Sequence, residues 1–214
     1  MDLDPSPGRR AAALPKSVFV STPEARFVEL FKNWLVSLPH DLKIAFDAMD
    51  DENLPRSSRE IAAGAICYVV SPSDFVSDRN EAVASFADDA LLLRLALRAL
   101  VADGGEDGET FRARFPELFD GLDDDLAACG KILGDLVPWL QGKVAGLKNQ
   151  PYKGKKATVF LDDDEARETL YEDGLAFRTD YPVDDKIIGD KLKKASTIAD
   201  VMRRRRAEEL RAAG

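Results

Sequence analysis

Apolar residues recur along most of this chain in steps of three and four, the spacing of one face of an α-helix. The first run follows Thr22-Pro23-Glu24, where a hydroxyl N-cap, a proline at the first helical position and a first-turn acid mark a helix start. Phe27, Leu30, Phe31, Trp34, Leu35 and Leu38 then fall on one face. Pro39 predicts the end of that helix and the start of another, whose apolar side is Leu42, Ala45, Phe46 and Met49. An acidic turn, Asp50-Asp51-Glu52-Asn53, and Pro55 come next. Ser57-x-x-Glu60 then reads as a capping box opening a helix through Val70, which Pro72 stops. Ala82 to Val101 reads as a helix that is apolar nearly all round over its second half, apart from Arg94 and Arg98. A helix of that kind belongs in the middle of a bundle.

Asp103–Glu109, with its glycines, predicts a loop, and a short helix is expected around Glu109–Phe119. Leu122, Leu126, Cys129, Leu133, Leu136, Leu140, Val144 and Leu147 follow at close to heptad spacing. This seam predicts one helix, kinked at Pro138, that offers a homo-oligomer interface. Gly130, Gly134, Gly142 and Gly146 form two small-xxx-small pairs, which predict close packing against a neighbouring helix. From Asn149 the texture changes. NQPYKGKK is a basic, turn-rich linker, Ala157–Leu161 has strand propensity, Asp162–Tyr171 reads as a short acidic helix and Leu175–Thr179 as a second short strand. The pattern as a whole predicts a mainly α protein. It comprises a mobile leader at 1–20, an antiparallel helical bundle over 21–148, a small C-terminal α/β appendage over 149–185 and a basic terminal helix over 186–214.

Charge is segregated along this architecture. Residues 186–213 hold nine Lys/Arg against four Asp/Glu, a net of +5, in a chain whose total is −9. The acidic total argues against general affinity for nucleic acid. Arg203, Arg204, Arg205 and Arg206 are consecutive and so spread round a helix, where the C-terminal dipole favours them as solvated cations. As a binding element they suit an anionic partner, such as an acidic protein or an anionic membrane surface. Asp123-Asp124-Asp125 and Asp162-Asp163-Asp164-Glu165 are intramolecular candidates for the same role. The apolar runs Ile61–Val70 and Leu95–Val101 fall short of the roughly 20 residues of a membrane span. The expected location is cytoplasmic, with membrane-peripheral attachment through the last helix as the alternative.

Conventional catalytic patterns are missing. Cys67 and Cys129 lie apart in apolar surroundings, without a CxxC, and read as reduced, buried thiols. His40 is the single histidine, expected at a helix start or the surface, so no triad can be assembled around another one. No glycine-rich nucleotide loop or HExxH is present. Trp34 and Trp139 read as core.

What remains is a group of carboxylates. Asp74, Asp78, Asp88 and Asp89 gather where two apolar segments meet, and charge beside a core needs partners. As metal ligands they suit Mg²⁺, Mn²⁺ or Ca²⁺, although the glycine and terminal glutamate of an EF-hand are missing. As structural groups, Asp74 and Asp78 cap short helices, and Asp88 and Asp89 pair with Arg79, Arg94 or Arg98. Together with Ser71 and Pro72 these residues then form a polar pivot that fixes how two buried helices meet. The pivot is the expectation and a divalent cation the alternative; no other cofactor is expected.

The run CYVVSPSDFVSD…FADDALLL resembles the signature of the YkvA-like family, a bacterial domain of unknown function. Tyr68, Ser71, Pro72, Asp74, Asp78, Asp88 and Asp89 carry the match, within residues 58–101. The chain departs from the family pattern at Ser77, where proline is usual, and lacks a glycine before Asp88. The resemblance implies a recurring structural element and no particular activity. The function expected from these features is a non-enzymatic interaction or scaffold protein with a protein partner. A metal-dependent domain and a peripheral anion-binding protein are the alternatives.

Overall fold

The computed structural model describes residues 22–71, 83–183, 186–188 and 192–212, and the expected leader lies outside them. The fold is mainly α. Its helices are α1 (Pro23–Asp50), α2 (Arg56–Val70), α3 (Ala87–Arg112), α4 (Pro116–Phe119), α5 (Leu122–Leu133), α6 (Leu136–Val144), α7 (Val159–Asp162), α8 (Asp164–Asp180) and α9 (Ala195–Ala212). A two-stranded antiparallel hairpin, β1 (Pro151–Tyr152) and β2 (Lys155–Lys156), follows α6. The centre is the mutual packing of α1, α2 and α3; α5 lies on α1, α6 on α3, α8 on α2, and α9 against α1, α3 and α6. Leu91, Leu92, Leu93, Leu97 and Leu100 of α3 are fully buried, as an all-round apolar helix requires.

The start of α1 is as the sequence predicts: the Thr22 side chain accepts from the Ala25 amide at 3.2 Å, and Pro23 takes the first helical position. Its end is not. The helix runs through Pro39 for 28 residues. Proline at 39 cannot donate to the Leu35 carbonyl one turn earlier. The Tyr181 hydroxyl, just beyond α8, supplies that bond instead, donating to the Leu35 oxygen at 2.7 Å. The consequence is testable. Tyr181→Phe is expected to cost about 1–2 kcal/mol, the penalty of an unsatisfied buried carbonyl, and less in a Pro39→Ala background, where the helix donor returns. A double-mutant cycle by urea denaturation measures this coupling.

Other boundaries also move. Pro55, not Ser57, precedes the first turn of α2, and there is no capping box. The Ser57 and Ser58 hydroxyls donate to Asp103 on α3 at 2.5 and 2.8 Å, while Glu60 accepts from Arg56 at 3.0 Å. The expected loop at Asp103–Glu109 is helical, bent at Gly105, whose φ of 57° only glycine takes readily. The heptad seam is two helices, broken at Gly134 (φ 59°). Pro138 is the third residue of α6, where no intrahelical acceptor awaits an N–H, so it introduces no kink. All eight seam residues are buried within the chain, which leaves that apolar stripe no exposed face for a second copy.

The expected close approaches at Gly130, Gly134 and Gly142 are not made: a methyl at any of the three would meet open space. Gly64 makes such an approach instead, in α2 against the Leu147 backbone. Neither predicted strand forms. Ala157–Leu161 leads into α7, where Phe160 is buried against Tyr152 and its carbonyl accepts from Arg167 at 3.2 Å. Leu175–Thr179 belongs to α8, which Asp163 caps through the Ala166 amide at 3.0 Å. Burial and capping at these sites outweigh the β propensity of Thr158 and Val159. The appendage is therefore helical apart from the β1–β2 hairpin.

Candidate functional site

Asp88 and Asp89 occupy the first turn of α3, where the helix dipole favours negative charge. Both are buried, at 1% and 4% exposure. Tyr68, in the last turn of α2, donates its hydroxyl to Asp88 Oδ2 at 2.8 Å. Arg205 of α9 brings its Nε to 3.5 Å from the same oxygen. On the same side, Lys143 of α6 pairs with Glu209 of α9 at 2.5 Å. The Lys143 ammonium lies over the rings of Tyr68 and Trp139, 5.1 and 4.7 Å from their centroids. Four helices thus meet at one buried polar cluster.

Burial raises the affinity of both carboxyls for a proton, against the opposing charges of Arg205 and Lys143. Asp89 is raised further by its neighbour Asp88. Burial and the two carboxylates likewise push the Tyr68 phenol up, which keeps it a donor. Arg205 loses hydration here, but Asp88, Tyr68 and Asp89 more than restore its charged state. An acid with a folded pKa above its unfolded value stabilises the fold fully at low pH, and that contribution is lost as pH rises through the folded value. Asp89→Asn removes this loss. The variant is therefore expected to gain on the parent chain as pH rises from about 4 to 8, read as the difference in urea midpoint across a pH series.

The sequence expectations divide at this point. Asp88 and Asp89 do come together. Ser71 closes α2, donating to the Cys67 carbonyl at 2.6 Å. Pro72, Asp74, Asp78 and Arg79 lie outside the described residues. Arg94 and Arg98 are not the partners of the acid pair. Arg94 lies five and six residues beyond it and so points to another side of α3. There Arg94 meets Asp41 of α1 at 2.7 Å, while Arg98 reaches Asp123 at 2.5 Å. Three members of the arginine run meet acids other than those expected: Arg203 pairs with Asp200 at 2.9 Å, Arg205 with Asp88 and Arg206 with Asp135. The acidic patches are engaged elsewhere, Asp125 with Arg26, Asp162 with Arg56 and Asp163 with Lys155.

A second buried ion pair joins α1 to α3. Asp41 and Arg94 are 2% and 6% exposed, bridged by the Ser37 hydroxyl, which receives a bond from Arg94 at 2.9 Å and donates to Asp41 at 3.1 Å. The Arg94 guanidinium lies 4.8 Å from the Trp34 ring, and its buried Nε has no acceptor among the described residues. Asp41 could have been found. It stands three residues after Leu38 and four before Ala45, on the apolar face itself.

Cys67 and Cys129 are buried free thiols that burial pushes up to about 12, so both stay protonated. His40 is exposed, 3.5 Å from Glu117. Among the described residues no three or more His, Cys, Asp or Glu are placed to hold a metal ion, and no helix is long and apolar enough to cross a membrane. A cleft of about 770 Å³ lies between α2, α3, α5 and α6. Two ion pairs along it, Arg98–Asp123 and Arg112–Glu109, join its own charges to each other. No family model, curated protein or solved structure matches this chain.

Proposed function

We propose that this chain is a non-enzymatic interaction protein of the bacterial cytoplasm. In this proposal α1–α6 form an antiparallel bundle of the YkvA-like type, and the Tyr68–Asp88–Asp89 cluster is its polar pivot. The observation that supports this is the commitment of Asp88: nearly inaccessible, it shares one oxygen between the Tyr68 hydroxyl and Arg205. A carboxylate held so spends its charge on joining α2, α3 and α9, not on a substrate. The engagement of Arg203, Arg205 and Arg206 with Asp200, Asp88 and Asp135 weighs in the same way against α9 as a free polycation for anionic membranes.

The test separates the pivot from a metal site. Millimolar Mg²⁺, Mn²⁺ or Ca²⁺ is expected to move the melting temperature of the full chain by less than about 1 °C, because a ligand stabilises only the state it binds. A rise of several degrees that Asp88→Asn abolishes would replace the pivot with a divalent-metal domain using Asp88 and Asp89.

A further inference from the structure

The two halves of α9 are held by different physics. In the first half Ile198, Ala199, Val201 and Met202 are buried. From Arg203 to Arg211 no residue is buried, and Leu210 is 66% exposed. This half is tied to the body by ion pairs: Arg205 to Asp88, Arg206 to Asp135 and Glu209 to Lys143. The Arg206–Asp135 and Lys143–Glu209 pairs are partly hydrated and contribute little each. The Arg205–Asp88 pair is buried at Asp88 but closes only to 3.5 Å. A half held by buried apolar side chains opens less readily than one held by such pairs.

We infer that residues 203–211 are a latch that lifts from the body. Beneath it, Tyr68, Asp88 and Asp89 form a guanidinium site, filled in cis by Arg205 and open in trans to an arginine of a protein partner. The class of ligand is read from the group already there. Its seating is loose: Nε stands 3.5 Å from the Asp88 oxygen, where a well-formed guanidinium–carboxylate fork makes two bonds at roughly 2.7–2.9 Å. Exchange of one guanidinium for another also keeps the charge of the cluster constant. A divalent ion entering while Arg205 stays would add two charges beside Arg205 and Lys143, both of which already act on the acid pair. The trans half of the inference rests on the interaction role proposed above, while the cis half does not.

Chemical rescue tests the site in the full chain. Arg205→Ala is expected to lower the melting temperature. Millimolar ethylguanidinium should restore most of the loss in Arg205→Ala, but none in parent chain or in Arg205→Ala/Asp88→Asn. Failure of rescue, or equal rescue by ethylammonium at matched ionic strength, overturns the guanidinium site and leaves the interaction role standing. Rescue by Mg²⁺ alone overturns it in favour of a metal. If Arg205→Ala does not fold, Arg205→Met keeps the apolar stem and carries the same test. The latch has its own measurement in the unmodified chain, native-state hydrogen exchange. Amides of 203–211 are expected to exchange at least about tenfold faster than those of 199–202, the first with intrahelical acceptors, with the gap widening at high salt. Uniform protection along α9 overturns the latch.

Discussion

Gly64→Ala is expected to cost the fold about 3 kcal/mol or more, which for a chain of this size lowers the melting temperature by about 6–12 °C. A β-carbon built on Gly64 stands 2.2 Å from the Leu147 carbonyl oxygen, 2.5 Å from its carbon and 2.7 Å from its Cβ. The obstacle is backbone, and backbone that is pinned: the same Leu147 oxygen accepts from the Gln150 amide at 2.8 Å in a 3₁₀ turn. Neither side can yield without separating α2 from that turn. The usual gain of about 1 kcal/mol from replacing a helical glycine by alanine is too small to offset this. Gly130→Ala is the control. A methyl there meets nothing, so the helix-propensity gain is expected to appear undiminished in the same thermal melts.

That contrast shows which parts of the fold were legible. Thr22, Pro23 and Glu24 announce α1 because a helix start is written within four residues. The apolar faces of α1 and α3 and the eight seam positions are likewise visible, since burial follows helical periodicity. What escapes is anything settled by a distant residue. Pro39 reads as a stop, because nothing near it shows that Tyr181 will satisfy the Leu35 carbonyl. Gly64 sits in an alanine-rich stretch with no local mark of the turn at Leu147. Val159 and Thr158 prefer strands in isolation, and only the burial of Phe160 and the reach of Arg167 make the segment helical.

The candidate site divides in the same way. Asp88 and Asp89 stand out as charges opening an apolar helix. Their cationic partner is expected nearby in sequence, at Arg79, Arg94 or Arg98; among the described residues Asp88 meets Arg205, one of four identical neighbours with no sequence feature to set it apart. Helix geometry excludes Arg94 more simply: a residue five or six positions along faces another side. Its true partner, Asp41, shares the apolar face of α1 with Leu38, Leu42 and Ala45, so the pair ties α1 to α3.

Breaking that pair by Arg94→Met is expected to be the most damaging charge change in the chain, about 3–5 kcal/mol at pH 8. The methionine keeps much of the apolar volume over Trp34 but leaves the Asp41 carboxyl buried without its cation. Burial already raises the pKa of Asp41, with Arg94 and the Ser37 hydroxyl opposing that rise. Removing Arg94 takes away the main opposing charge, so the folded pKa climbs further above the unfolded value of 3.8. A carboxyl so raised binds more protons folded than unfolded, and stability falls as pH rises from the unfolded pKa through the folded one. The deficit of Arg94→Met is therefore expected to be small near pH 4, where Asp41 is folded as a neutral acid, and to grow toward pH 8. The double variant Asp41→Leu/Arg94→Met removes both charges and the buried Arg94 Nε that lacks an acceptor, so it is expected to recover most of the loss and to carry no pH dependence from this site. Urea denaturation of the parent chain and the two variants at pH 4, 6 and 8 measures this. A deficit independent of pH would mean that the packing of the Arg94 stem, and not its charge, joins α1 to α3.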